Sequence, residues 1–342
     1  MKHIILLFVT FFSFLHAAIY EDMLQRHVEV NSHKKLVFLG PGALRMGVYL
    51  GLENRLVGIE KVESTSAQLA PYRSFLGQEF ISKLPVVSTG GPGKMPNLEA
   101  LMLLKPDLII TSFLDSNQLE LISSKTSIPV LALSYGASYG GTKEQLVSIK
   151  ESLLLLGKVT DTEDRAKDLI NFIEKQEIYL SSLNVAQKCV YVGGIGYKGM
   201  QGITSTEANY PPFELLDLKN CLFQDSSKMG HHFIDYEALL SVNPEIIFID
   251  MFGKKKVLQE YKEKQSIFNK LQAYKTNNVH NILGYNFYST NIENLFVISY
   301  QIAFNLDKKD IDINSKAQEV YKAFYLEDGL KLLDQLPYGT LK

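Results

Sequence analysis

The 342-residue chain contains no tryptophan, only two cysteines and almost no net charge. Each scarcity excludes something. Cys189 and Cys221 make no zinc site by themselves. In an oxidising compartment they could pair, but both fall at the starts of predicted neighbouring strands, where bridge geometry is awkward. The expectation is two buried thiols. A formal charge of -2 favours neither nucleic acid nor a polybasic membrane surface. Beyond the first residues, no stretch is long and apolar enough to span a bilayer, so no stable membrane insertion is expected. What is present is an ordinary globular composition, 46% hydrophobic and 21% charged, ample for two cores.

The first 18 residues form a unit of their own. Met1-Lys2-His3 supplies a charged start, Ile4 to Leu15 a short apolar run, and Ala17-Ala18 small residues. That is the layout of a cleavable secretory signal, cut near Ala17 or Ala18. No cysteine stands near the cut, which excludes a lipoprotein anchor. The mature protein is therefore expected to be exported and soluble, in a periplasm.

The rest is organised around a helix predicted from about Asp161 to Asn184. Asp161-Thr162-Glu163-Asp164 offers a cap and then acids at the positive helix end. Ala166, Leu169, Ile170, Ile173, Leu180 and Leu183 recur near a 3.6 period. Gly157 is read as the end of a preceding helix that starts near Thr142. The two sides of this rod look alike. Asn97-Leu98-Glu99-Ala100-Leu101 leads through Pro106 to an apolar run, Leu108-Ile109-Ile110. Asp235-Tyr236-Glu237-Ala238-Leu239 leads through Pro244 to Ile246-Ile247-Phe248 without a gap. Each copy reads as a short helix, a proline stop and a buried strand. A second pair, Leu50 to Leu56 against Leu216 to Leu222, reads as helix end, turn and strand start.

Strands predicted near 36–39, 56–59, 108–111 and 130–133 alternate with helices, as do strands near 189–192, 222–223, 246–250 and 279–283. The expected fold is α/β: two similar lobes, each a parallel sheet between helices, joined by one long helix. The boundaries read as residues 1–18 signal peptide, 19–141 N-terminal lobe, 142–184 linker helices, 185–312 C-terminal lobe and 313–342 C-terminal helical closure. Residues 20–34 read as a polar lead-in and Pro71-Tyr72-Arg73 as a loop.

Gly194-Ile195-Gly196-Tyr197-Lys198-Gly199 spells a dinucleotide fingerprint after a strand. A phosphate cradle needs a helix opening within it. Here the chain reaches Pro211-Pro212 before a convincing helix, so the glycines serve a loop. Gly93-Lys94 lacks the Ser or Thr of a P-loop. His231-His232 could touch a metal, but adjacent histidines do not easily face one ion, and no metal ligands are assigned. An exported nucleotide-using α/β enzyme remains the alternative of another class.

Ligands of parallel sheets sit beyond the carboxyl ends of the strands. The loops there supply Gly42, Arg45, Tyr72, Arg73, Gly91, Tyr135 and Tyr139 in the first lobe. In the second they supply Tyr197, Lys198, Tyr210, His231, Tyr285 and Tyr288. Tyr pairs a flat apolar face with a polar tip, and Arg holds oxygen anions with a planar fork. Together they suit a ligand that is part aromatic and part oxygen-rich.

These residues carry a family resemblance. The segments Leu36 to Ile59, Asn97 to Ile110 and Asp235 to Phe248 resemble periplasmic substrate-binding proteins of ABC transporters for iron–siderophore, haem and cobalamin uptake. The resemblance covers about residues 35–310. It implies a monomeric, non-enzymatic protein without a cofactor, which binds a metal chelate between two lobes and docks on a permease with its ATPase. It implies permease contacts at Glu99 and Glu237. An iron chelate is favoured by family frequency over haem, a corrinoid or a nickel chelate. Many siderophore binders use a tryptophan, which this chain lacks.

Overall fold

The computed structural model describes residues 18–65, 70–135, 141–224 and 227–329. Residues 1–17 of the expected signal peptide, Tyr139 and the end of the chain from residue 330 lie outside the described residues. In the first half the elements are β1 (Ala18–Glu21), β2 (His27–Val30), β3 (Leu36–Leu39), α1 (Ala43–Tyr49), β4 (Leu56–Glu60), α2 (Pro71–Leu76), α3 (Gln78–Ser82) and β5 (Val86–Ser88). They continue with α4 (Leu98–Leu104), β6 (Leu108–Thr111), α5 (Ser116–Thr126) and β7 (Val130–Ala132). Two long helices follow, α6 (Thr142–Val159) and α7 (Glu163–Ser182). The second half holds β8 (Val190–Gly193), β9 (Ser205–Glu207), α8 (Pro211–Glu214), β10 (His231–Phe233), α9 (Tyr236–Val242) and β11 (Ile246–Asp250). It ends with α10 (Lys254–Glu263), α11 (Gln265–Phe268), α12 (Gln272–Lys275), β12 (Val279–Ile282), α13 (Ile292–Leu306) and α14 (Ile313–Tyr325).

The predicted architecture holds. One parallel sheet has the order β5-β4-β3-β6-β7, and a second, separate parallel sheet has the order β12-β11-β8. Every residue of β3, β6, β8 and β11 is buried, as expected for strands covered by helices on both faces. The repeated phrase is repeated geometry. Asn97 and Asp235 cap α4 and α9 by accepting the N–H of Ala100 and Ala238. Both helices have seven residues and end on a left-handed residue, Lys105 or Asn243, directly before the proline.

Several local readings are corrected. Gly157 does not end a helix; it lies inside α6, where a Cβ would come 2.7 Å from the Ala166 Cβ, so it lets α7 pack closely. Asp161 takes a left-handed turn (φ 57) and Thr162 is the N-cap residue, so α7 begins at Glu163. The lead-in contains an antiparallel hairpin of β1 and β2. Tyr72 and Arg73 belong to α2, not a loop. Leu222–Phe223 forms part of a 3-10 turn, Cys221–Phe223, and only Asn220 bridges Val190 as a vestige of a fourth strand. The expected thiols are instead a disulfide, Cys189–Cys221. Because residue 221 leaves the sheet in that turn, the two Cα atoms stand 5.0 Å apart, within bridging range.

The organising role is also shared. Only one face of α7 is buried, through Ala166, Leu169, Ile173, Gln176 and Leu180. In α13, every residue from Ile292 to Ala303 is buried. Residues of α7, α13, α14 and both sheets join in one apolar core. Acids and amides inside α13 are satisfied across the molecule. Glu293 accepts from the hydroxyls of Tyr49 in α1 and Tyr325 in α14, and Asn294 accepts from Tyr321.

Candidate functional site

The first-lobe wall starts where β3 turns into α1. Gly40 and Gly42 both have positive φ, 86° and 81°. A Cβ on Gly42 would lie 2.3 Å from the Tyr135 ring, so glycine is required there. The Tyr135 hydroxyl donates to the Gly42 carbonyl at 2.9 Å. One turn into α1, Arg45 is fully buried. Its Nη2 donates to the Phe287 carbonyl and to Asn291 Oδ1, both at 2.8 Å and both from the second half of the chain. Its guanidinium also lies 4.7 Å above the centre of the Tyr72 ring. Nε and Nη1 of Arg45 find no acceptor among the described residues. Burial opposes the charge on Arg45, but nearby Tyr135, Tyr72, Tyr49 and Glu293 favour it and raise its pKa.

Arg73 lies beside it, equally buried. Nε donates to Glu63 Oε2 at 2.6 Å and Nη1 to the Thr65 carbonyl at 2.7 Å. The Tyr72 hydroxyl donates to the same Glu63 oxygen. Nη2 has no acceptor among the described residues. The Phe287 ring lies 4.5 Å from the Arg73 guanidinium carbon. Thus Arg73 is neutralised by a direct carboxylate partner. Arg45 is held by neutral oxygens, with Glu293 acting on it at longer range.

The loop between β12 and α13 closes this wall. Tyr285 is buried and its N–H donates to Asp250, at the carboxyl end of β11. Tyr288 is half-buried; its hydroxyl donates to Glu60 Oε2 at 2.8 Å and accepts the Gly91 N–H at 2.7 Å. Glu60 also accepts the Gly40 N–H. Burial pushes the Glu60 and Asp250 carboxyls up to about 7. Tyr210 is buried against Tyr285, and its hydroxyl has no partner among the described residues.

A second group sits on the β9–β10 ribbon and the glycine loop before it. Tyr197 stacks on His231, with centroids 4.2 Å apart and planes 5° apart. Lys198 lies over Tyr197. Ser205 Oγ donates to the Ile195 carbonyl and is 2.7 Å from His231 Nε2, so Nε2 carries the proton and donates to it. Burial pushes His231 down to about 4. No group of three or more possible metal ligands occurs among the described residues. The glycine loop continues into β9 with no helix opening in it, as a loop reading requires.

The structure therefore brings Gly42, Arg45, Tyr72, Arg73, Gly91, Tyr135, Tyr285 and Tyr288 to one seam. Tyr197, Lys198 and His231 form a separate lobe-two stack, and Tyr210 supports Tyr285 from within. Glu99 and Glu237 are exposed in the first turns of matching helices. Sequence reasoning missed Glu60, Glu63, Phe287, Asn291 and Glu293. The signals were available: Glu60 directly follows an apolar strand, and Glu293 stands just before the apolar helical stretch Leu295 to Ile298.

Known proteins share this fold. A family model described as periplasmic binding protein matches residues 36–282. The molybdate-binding protein MolA of Haemophilus influenzae is 26% identical over 176 residues, which are 46% of this chain and 47% of MolA. The match thus spans about half the length of that curated relative. The solved structure of MolA bound to molybdate has a TM-score of 0.70 at 20% identity, covering 90% of this chain and 98% of that one. Helicobacter pylori CeuE with Ni(II) bound gives 0.65 at 17% identity, covering 93% and 99%. The triscatecholate siderophore binding protein FeuA of Bacillus subtilis, complexed with ferri-bacillibactin, gives 0.57 at 17% identity, covering 89% and 98%. At these identities the structural likeness is one of fold. The match over residues 36–282, on a frame of two parallel α/β sheets, makes this chain a member of the periplasmic binding protein family, whose members are non-catalytic components of transport.

Proposed function

We propose that this protein is an exported, monomeric solute-binding protein that captures a small anionic metal species between its lobes. It delivers that cargo to an ABC permease and its ATPase in the membrane. The observation that carries the anionic reading is Arg45: a buried guanidinium without a direct carboxylate partner, with two N–H-bearing nitrogens unpartnered among the described residues. A buried cation so placed favours an incoming oxygen anion. The tyrosines around it offer apolar faces to an aromatic chelator. An iron–siderophore complex combines both properties, as does the ferric cargo named for FeuA. A bare oxyanion is the second reading, favoured by the kinship with molybdate-binding MolA. Haem, corrinoid and nickel chelates complete the set to test. Glu99 and Glu237 are read as the permease contacts, one exposed carboxylate per lobe.

The test is a thermal-shift and calorimetric screen of the mature protein against ferric triscatecholate, molybdate, haem, cobalamin and a nickel chelate. Binding is expected for an anionic member, with quenching of tyrosine fluorescence if the cargo is a ferric catecholate. Absence of binding by every member would remove the reading.

A further inference from the structure

The loop from Tyr285 to Asn291 is folded as a miniature hairpin. Asn286 and Thr290 form an antiparallel bridge, and the Phe287 N–H donates to the Ser289 carbonyl at 3.1 Å. At its tip Tyr288 and Ser289 both have positive φ, 51° and 81°, a conformation that side-chain-bearing residues seldom adopt in succession. Its base is anchored in lobe two. The Tyr285 N–H is held by Asp250, and Asn291 Nδ2 donates to the Gly284 carbonyl. Its tip crosses to lobe one and takes three of the groups there that an anion would use. The Phe287 carbonyl takes Nη2 of Arg45, the Phe287 ring covers the Arg73 guanidinium, and the Tyr288 hydroxyl takes the Gly91 N–H.

We propose that residues 286–290 are a self-inhibitory strap: the protein's own carbonyl, ring and phenol occupy the cargo site, and cargo enters by displacing them. This rests on the anionic reading of the cargo. The exchange is physically reasonable because a carbonyl is a neutral acceptor. An anionic oxygen makes a shorter, charge-assisted bond to the same guanidinium. Release of the two left-handed residues favours the same direction. The strap also sets a threshold at Nη2 of Arg45, where a neutral solute offers no better partner than the Phe287 carbonyl does.

Hydrogen exchange on the full mature protein tests this, with and without molybdate or ferric triscatecholate as probes. Tyr288→Phe keeps the ring and deletes both hydrogen bonds of the hydroxyl. Exchange of the Gly91 amide and of the segment 284–292 in the empty protein should then rise about tenfold, the effect of losing one or two hydrogen bonds. Association of the probe should accelerate several-fold. In the unsubstituted protein, a saturating probe should change exchange in the same segment. Unchanged exchange in the empty Tyr288→Phe protein overturns the strap, as does a bound probe that leaves segment 284–292 unaffected. If neither probe binds, the anionic reading fails by itself, and the empty-protein comparison still judges whether Tyr288 holds the loop shut.

Discussion

The hydroxyl of Tyr288 donates to the Glu60 carboxylate across 228 residues of sequence. That one bond ties the loop before α13 to the end of β4, and so links the two lobes at the place where cargo is expected to enter. Glu60 is buried there, accepting from the Gly40 N–H and the Tyr288 hydroxyl, with no arginine or lysine bonded to it among the described residues.

This environment has a pH signature. Glu60 and Asp250 titrate near 7 in the folded protein because burial penalises the charged carboxylate. Unfolded carboxyls titrate near 4. The folded state therefore holds more protons between about pH 4.5 and 7, and stability falls as pH rises through that window. His231, pushed down to about 4 by burial, acts in the opposite sense between about 4 and 6.5 and is partly exposed, so it offsets only part of the trend. Denaturant unfolding should show a lower midpoint at pH 7.5 than at pH 5.5, and Glu60→Gln should weaken that dependence. A slope that Glu60→Gln leaves intact would assign the effect elsewhere.

Arg45 should separate stability from binding. Nε and Nη1 of Arg45 lack acceptors among the described residues, whereas Nη2 holds Phe287 and Asn291. Removing a buried charge that has no carboxylate partner relieves its desolvation cost. Arg45→Met also takes the Nη2 donor from the Phe287 carbonyl and Asn291 Oδ1, so the melting temperature is expected to fall by a few degrees at most. It should weaken an anionic cargo by roughly 2–5 kcal/mol, the usual loss when a buried charged partner is truncated. Calorimetry on the two proteins decides it; equal affinities would exclude Arg45 from the site.

The Cys189–Cys221 bridge joins residues 32 apart, at the amino end of β8, away from the seam at the carboxyl ends. Cross-links over such loops stabilise by about 2–4 kcal/mol. Cys189→Ala/Cys221→Ala should lower the melting temperature by several degrees while leaving cargo affinity within twofold. A large loss of affinity would mean that the bridge positions the site.

Glu99→Arg and Glu237→Arg change exposed side chains in the first turns of α4 and α9. Surface substitutions of this kind usually shift stability by no more than about 0.5 kcal/mol, apart from a small penalty for a cation at a helix N-terminus. Cargo affinity should stay unchanged, while uptake by cells or stimulation of the permease ATPase in vesicles should drop. Normal transport by the doubly substituted protein would move the docking surface elsewhere.

The chain order alone carried the two-sheet architecture, the paired phrases at Asn97 and Asp235, and the loops from which the seam is built. These are short-range properties. A cap, a helical turn, a left-handed stop, a proline and an apolar strand occupy about fourteen consecutive residues, and each acts on its neighbours. Partners across space were not legible. Nothing near Arg45 in sequence announces Phe287 or Asn291, and nothing near Glu60 announces Tyr288. The tyrosines expected at loop edges, Tyr135, Tyr210 and Tyr285, are interior: Tyr135 packs on Gly42, and Tyr210 and Tyr285 pack on each other. Cys221 met Cys189 because a strand expected there became a 3-10 turn. Local propensity thus determined the elements. Burial and pairing between distant elements decided which of their polar groups stay unpartnered among the described residues.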